Sequence, residues 1–476
     1  MQLRKWQSEC VKLALKKFQS GKQHFLCLAT PGAGKTTMAA EVSLRLLNSN
    51  KIDFVLCFSP STIVARGIRE TLEKLTGYRF DGTIGAKGGS YTYQSMKFLS
   101  NDIWELIRSH RVFVIFDEIH HCSGSDLSNS NSWGEEIISN IQGQASYTLA
   151  LTGTPWRSDN TPIVLAEYKD ANNNISCDYI YGLADAIKDK VCRLPKIIVT
   201  DNDNITLQNE DGSEESFGSF IQLLSNTEYP YQNLVRQNIL IRHILCEANN
   251  KLIGIRTTNP EAAGLVVASS VEHASQILSI LRNELRQPVV IATYKENEPS
   301  RIIDDFKSCT TPWIVSVGMI SEGTDLPRLQ VCCHLSRIKT ELHFRQVLGR
   351  VLRVSKATNQ DAFLYMPAEP TLVDYAERVA EHIPPDQKVV FFDKIEKSIS
   401  VSEKKESLIE TNTSKLFLEE TNSMVEIGVA SSEATNTLSR SYEASLNLFG
   451  RFYQEVINLS LSQSDITTMS RGYSAK

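Results

Sequence analysis

At 476 residues, 41% of them hydrophobic and 22% charged, the chain is long enough for about three domains with sizeable cores. It has no apolar run of about 18 residues, so no membrane-spanning helix is expected, and Met1-Gln2-Leu3-Arg4-Lys5-Trp6 lacks the apolar stretch of a secretory signal. The net charge of −5 resides in residues 371–476, which leaves residues 1–370 near neutral: a polyanionic partner would have to be held in a local groove.

The ten cysteines include no C-x-x-C pair and read as the reduced thiols of a cytoplasmic protein. Adjacent Cys332 and Cys333 lie in a strand-like run and read as buried apolar packing.

An amphipathic helix over Leu3–Gly21 opens the chain, with Trp6, Cys10, Leu13, Leu15 and Phe18 apolar and Gln7 near its start. The apolar strand Phe25–Leu28 then leads into Ala29-Thr30-Pro31-Gly32-Ala33-Gly34-Lys35-Thr36-Thr37, and helix-forming Met38-Ala39-Ala40-Glu41 follows. Strand, Gly-rich turn and helix are the context of a phosphate-binding loop, although the pattern G-x-x-x-x-G-K-[ST] has Ala29 in first place. Gly32 and Gly34 let successive N–H groups face an anion. Lys35 would reach the outer phosphates, and the Thr36 hydroxyl would ligate Mg²⁺.

Ile52–Phe58 reads as a second strand, followed after Pro60 by a helix through Arg66, Arg69 and Leu72. A third strand is expected after Gly77, and Thr92–Met96 lies at a turn into another helix. Val112–Phe116 is a buried strand ending in Asp117-Glu118-Ile119-His120. In that position Asp117 reads as the second metal-holding carboxylate and Glu118 as the base that polarises an attacking water. His120-His121-Cys122 does not read as a metal site, because consecutive residues leaving a strand diverge and no second ligand pair matches them. Tyr147–Leu151 is the next strand and ends in Thr152-Gly153-Thr154-Pro155. A helix over Tyr181–Val191 and a strand over Pro195–Thr200 complete this first unit.

Asp201–Tyr231 is polar and acidic and reads as a solvated connector or hairpin insertion, followed by a helix over Leu234–Glu247. A second unit alternates strands at Gly264–Ser269, Val289–Ala292 and Trp313–Val317 with helices. It has no phosphate loop of its own. Instead it carries Ser321-Glu322-Gly323-Thr324-Asp325 and Gln346-Val347-Leu348-Gly349-Arg350-Val351-Leu352-Arg353, where helical spacing would put Gln346, Arg350 and Arg353 on one face. Leu372–Val379 and Lys388–Ile395 read as structured. From about Ser398 to Ser445 the composition is that of a flexible segment, and an amphipathic stretch, Leu446-Phe449-Phe452-Val456, follows.

In their order these motifs resemble the superfamily 2 helicases and translocases over roughly residues 1–370. Leu3–Gln7 resembles the adenine-reading Q motif, residues 29–37 motif I, Asp117–His120 motif II in its DExH form, and Thr152–Thr154 motif III. Ser321–Asp325 resembles motif V and Gln346–Arg353 motif VI. The resemblance implies an α/β fold of two tandem RecA-like doubly wound parallel-sheet domains, with a mostly helical or disordered C-terminal tail. The boundaries it suggests are 1–200 for the first domain, 201–250 for a connector, 251–370 for the second domain and 371–476 for an extension.

It also implies that Gln7, Thr30, Pro31, Gly32, Ala33, Gly34, Lys35, Thr36, Thr37, Gly323 and Asp325 bind ATP, and that Thr36 and Asp117 hold Mg²⁺. Lys35, Asp117, Glu118, Gln346, Arg350 and Arg353 would form the catalytic set. DEIH, Thr-Gly-Thr-Pro and Gln-x-x-Gly-Arg-x-x-Arg place the resemblance nearer the excision-repair, phage-recombination and type III restriction-like branch than the DEAD-box RNA helicases. A DNA helicase or duplex translocase is the first expectation. An RNA helicase or remodeller, and an ATPase subunit of a restriction or phage-defence assembly reached through the tail, remain open beside it. Thr92–Met96 and the segment after Pro60 would touch the nucleic-acid backbone, though Val64 and Gly67 depart from the P-x-x-x-L-x-x-Q pattern there.

Overall fold

The computed structural model describes residues 2–125, 128, 130–154, 161–168, 175–209, 212–318, 320, 326–355, 361–383 and 387–402. In chain order the first half runs α1 (Lys5–Gln19), β1 (His24–Ala29), α2 (Lys35–Asn48), β2 (Phe54–Ser59), α3 (Thr62–Thr76), β3 (Gly88–Thr92), α4 (Asn101–Ser109) and β4 (Val112–Asp117). It continues through α5 (Ser132–Asn140), β5 (Tyr147–Thr152), the short β6 (Glu167–Tyr168) and β7 (Ile175–Ser176), β8 (Tyr179–Tyr181) and α6 (Leu183–Lys188). Six of these strands form a wholly parallel sheet in the order β3-β2-β4-β5-β1-β8.

Every residue of β4 is buried, and its side chains alternate between two apolar layers. Phe113 and Ile115 join the layer that holds Met38 and Val42 of α2, while Val112, Val114 and Phe116 join the layer with Trp104 and Ile107 of α4. A parallel strand covered on both faces reads as an unbroken apolar run. The same alternation carries Asp117 to the α2 side, where the loop after β1 lies.

The second half begins with β9 (Leu194–Asn202), β10 (Ile205–Gln208), β11 (Glu214–Phe217), α7 (Phe220–Asn226), α8 (Tyr231–Leu234) and α9 (Asn238–Arg256). Next come β12 (Ala263–Ala268), α10 (Val271–Ser279), β13 (Val289–Ala292), α11 (Pro299–Ser308), β14 (Trp313–Ser316), β15 (Leu329–Leu335) and α12 (Glu341–Val351). The described chain ends with β16 (Asp361–Pro367), α13 (Pro370–Glu381), β17 (Val390–Ile395) and β18 (Ile399–Ser402). Seven strands form a second parallel sheet, β13-β14-β12-β15-β16-β9-β17, and β11-β10-β18 form a small separate one. Parallel neighbours need long crossovers, which the helices supply. The chain thus forms two tandem RecA-like doubly wound domains.

Three expectations change. The strand expected at Pro195–Thr200 exists, but it pairs with β16 and β17 inside the second sheet rather than closing the first domain at residue 200. Alternation and apolarity describe a buried parallel strand without saying which sheet receives it. Of the two readings of Asp201–Tyr231, the hairpin insertion holds rather than the solvated connector, because β10 and β11 pair antiparallel and Ile205, Leu207, Phe220 and Leu223 are buried. Beyond residue 370, β17 extends the second sheet and β18 pairs with β10, with Ile399 and Val401 buried where a flexible segment was expected. The amphipathic stretch Leu446–Val456 lies outside the described residues.

Candidate active site

The loop after β1 shows why Ala29 is tolerated. Ala29 is still in the strand, buried, without a positive φ; the left-handed positions are Gly32 at φ +80° and Gly34 at φ +91°. Glycine is needed where φ is positive, not at the first letter of the pattern. Two groups at the start of α1 hold the loop from outside: Arg4, which precedes the helix, donates to Ala33 O at 2.6 Å, and Gln7 Nε2 donates to Gly34 O at 2.9 Å. Gln7 Oε1 in turn accepts from the Arg4 N–H at 2.8 Å.

Lys35, the first residue of α2, is buried and donates to Ala29 O at 3.2 Å and to Glu118 Oε1 at 2.9 Å. Glu118 reaches it because its backbone turns into the left-handed region, φ +51°, immediately after β4. That conformation is uncommon for a residue with a Cβ and is held here by contacts on both carboxylate oxygens. Oε2 accepts from the Gly153 N–H at 3.1 Å and lies 3.5 Å from His120 Nδ1. The His120 ring also meets Thr152 Oγ1 at 3.0 Å and Thr154 Oγ1 at 3.3 Å, so the two motifs at the ends of β4 and β5 form one network.

Burial and the neighbouring Glu118 charge push the Asp117 carboxyl up, with Lys35 and His121 opposing them. Burial acts on Glu118 in the same direction, but the Lys35 ammonium, His120 and the Gly153 N–H outweigh it and hold that carboxyl low. Two adjacent carboxylates thus share one lysine, which pairs with Glu118 rather than Asp117. Asp117 and Thr36 line the same cavity. A carboxylate and a hydroxyl-bearing residue beside a phosphate loop fit a magnesium ion that takes its other ligands from phosphate and water. Among the described residues no cluster of three or more His, Cys, Asp or Glu side chains could hold a metal by itself.

The second domain closes this cavity, whose volume is about 660 Å³ and whose lining joins Gly32, Gly34, Lys35, Thr36, Asp117 and Glu118 to Gln346, Arg350 and Arg353. Contact is direct. A Cβ added to Gly349 of α12 would lie 2.8 Å from Pro31 Cβ, and one added to Gly32 would lie 3.1 Å from Arg353 Cγ. The volume falls in the range of about 300–1,000 Å³ usual for small-molecule sites.

Residues 1–157 match the family model "Type III restriction enzyme, res subunit", and residues 245–355 match "Helicase conserved C-terminal domain". The chain belongs to the superfamily 2 helicases. It falls on their type III restriction-like branch. An uncharacterised protein of Mycobacterium leprae is 28% identical to this chain over 79% of the chain and 64% of its own length. The DNA 3'-5' translocase XPB2 of Sulfurisphaera tokodaii is 25% identical over 74% of this chain and 79% of its own. The fold is shared with the ATP-dependent Type ISP restriction-modification enzyme LlaBIII bound to DNA, at a TM-score of 0.55 and 14% identity over 85% of this chain and 32% of that one. The chain spans about three fifths of the length of the mycobacterial relatives it matches.

Most of the residues expected to bind a nucleotide converge on this cavity, with differences. Thr30, Ala33 and Thr37 support the loop without lining the cavity, and neither does Gln7, whose amide is spent on the loop and Arg4. Arg353 is not on the helix face shared by Gln346 and Arg350. It follows the end of α12 and forms an isolated bridge with Cys192, because the helix stops at Val351. It enters the cavity all the same. Gly323 and Asp325 lie outside the described residues.

Arg4 and Gly153 lie within the motifs at Leu3–Gln7 and Thr152–Thr154 without being named as site residues, and Cys192 lies in no motif. Their contacts span 29, 35 and 161 positions and depend on the finished fold. In the first domain, Tyr93 OH donates to Asp117 O at 2.9 Å and Gln94 Nε2 donates to Pro60 O at 3.1 Å. Thr92–Met96 is thereby tied both to the carboxylate strand and to the segment after Pro60. No described helix is long and apolar enough to cross a membrane.

Proposed function

We propose that the chain is an ATP-driven nucleic-acid motor, a DNA helicase or duplex translocase that hydrolyses ATP between its two RecA-like domains. The observation that carries this reading is the Lys35–Glu118 pair, 2.9 Å apart, facing Arg350 and Arg353 across one cavity. Lys35 exchanges Glu118 for the outer phosphates of the nucleotide. Glu118, released but still oriented by the Gly153 N–H, accepts a proton from water as that water attacks the γ-phosphorus in line, and the β–γ bridging oxygen leaves with ADP. Arg350 and Arg353 offset the charge that spreads over the transferring phosphoryl oxygens, an effect worth about 10³–10⁵ in rate where such arginines act. Thr36 and Asp117 are the residues that would hold Mg²⁺, which when bound neutralises phosphate charge.

Coupling to the strand follows the contacts of Tyr93 and Gln94. A change at Asp117 is felt at Thr92–Met96 and after Pro60, segments that would grip phosphate and sugar rather than read sequence. The preference for DNA is supported by DEIH, Thr-Gly-Thr-Pro and Gln-x-x-Gly-Arg-x-x-Arg and by the likeness to a relative described as a DNA translocase. A second reading, an ATPase subunit within a larger restriction-type assembly, is supported by the res-subunit match. ATP turnover measured with single-stranded DNA, duplex DNA and RNA tests the proposal. Stimulation by RNA alone would replace the DNA assignment, and turnover that appears only with partner proteins would favour the subunit reading.

A further inference from the structure

The crossover from α6 into β9 touches both halves of the site. Cys192 Sγ lies 3.5 Å from the Pro31 carbonyl, and its backbone bridges to Arg353. The next residue, Arg193, is completely buried, and its N–H donates to Leu352 O at 2.8 Å. Its guanidinium donates to Leu329 O at 2.5 Å, to Val351 O and Pro327 O at 3.1 Å, and to Ser355 Oγ at 3.1 Å. Among the described residues it has no carboxylate partner.

A cation buried on neutral acceptors is a costly way to fill space, and an apolar side chain of similar volume would do so at lower cost. What the guanidinium adds is a planar fork that fixes several acceptors relative to one another. Those acceptors belong to chain segments that bound the nucleotide cavity. Pro327 lines it, Val351 is the last residue of α12, and Ser355 follows Arg353 and Val354, which also line it. Arg350, in the last turn of α12, and Arg353, just beyond it, therefore stand on a segment pinned from behind by one side chain, and that side chain is anchored on a crossover that touches the phosphate loop.

We infer that Arg193 is a positioning residue for ATP hydrolysis, fixing the end of α12 and the Pro327–Leu329 wall against Pro31 so that Arg350 and Arg353 meet the transferring phosphoryl group. It rests on the hydrolysis reading above. Arg193→Lys keeps the charge, but a single nitrogen cannot span the four acceptors. The expected result is a fall in kcat of about tenfold or more, with KM and the affinity for a fluorescent ATP analogue unchanged and the circular-dichroism spectrum retained. Combined with Arg353→Lys, the losses should fall short of additive, because both act through one arrangement.

A purely structural Arg193 would lower the melting temperature and leave kcat per folded molecule alone, which overturns the inference. So would a raised KM at unchanged kcat. Should Arg193→Lys fail to fold, Ser355→Ala removes one acceptor only and is expected to lower kcat several-fold by itself; an unchanged kcat there also overturns it. Wild type no more active than Lys35→Ala would remove the hydrolysis reading and this inference together, whereas active wild type with an equally active Arg193→Lys removes the inference alone.

Discussion

Lys35 Nζ stands 2.9 Å from Glu118 Oε1, so the phosphate-binding cation and the carboxylate beside it occupy each other. Lys35 also donates to Ala29 O and Glu118 accepts from the Gly153 N–H, but the charge of each is freed when the other finds a better partner. In Glu118→Gln the charge goes and the shape stays. Hydrolysis should fall by about 10²–10⁴, the usual contribution of a general base, while nucleotide affinity holds or rises because Lys35 no longer has a competing anion. Single-turnover rates set against a binding titration check this; a parallel loss of binding and rate would contradict it.

Arg350 lines the cavity from the second domain, whereas Lys35 and Thr36 line it from the first. Arg350→Ala should abolish turnover while leaving ATP binding largely intact. Binding and folding lost together would make α12 a structural helix instead.

Gly349 separates those two roles differently. It is buried within α12, and a Cβ there would meet Pro31 Cβ at 2.8 Å, a ring carbon that cannot swing away. Gly349→Ala should raise helix propensity by about 0.8–1.0 kcal/mol and yet lower kcat, because the helix must back off from the loop. Melting and steady-state rates on one sample test the pair of outcomes, and unchanged kcat would deny the close approach.

Acid should destabilise the fold through two buried histidines, partly offset by Asp117, whose raised carboxyl takes up a proton in the folded state first. Burial lowers His334 from 6.5 to about 3, helped by His343, and burial lowers His273 to about 4, helped by Arg236. Both folded values are depressed, so the unfolded chain takes the proton first. Stability present above about pH 6.5 is then lost as pH falls, each group contributing about 1.4 kcal/mol per unit between its two values. Melting temperature followed from pH 7.5 down to 4.5 should decline, and His273→Gln should flatten the curve; a flat wild-type profile would count against neutral buried rings.

Much of the architecture was legible because period and burial coincide. Val112–Phe116 is apolar throughout because β4 is covered on both faces, and Gly32 and Gly34 mark positive φ. The partner of a strand was not, since β9 carries the same pattern that would suit either sheet and is placed by pairing with β16 across the whole second domain. In the site, Lys35 is set by the turn into α2 and Asp117 and Glu118 by the end of β4, local geometry that the sequence shows. Gln7 was readable as a site residue but not in its contact, because its amide meets the loop carbonyl of Gly34. Arg193 gave no signal at all: a lone arginine before a strand looks like surface until four acceptors close around it.

The proposed activity is ATP hydrolysis at Lys35 driven by a nucleic-acid strand. Its most direct measurement is the ATP turnover of the full chain with no nucleic acid, single-stranded DNA, duplex DNA or RNA, each beside Lys35→Ala. The account predicts turnover that rises with DNA and disappears in Lys35→Ala. Turnover indifferent to that substitution, or absent under every condition, would contradict it.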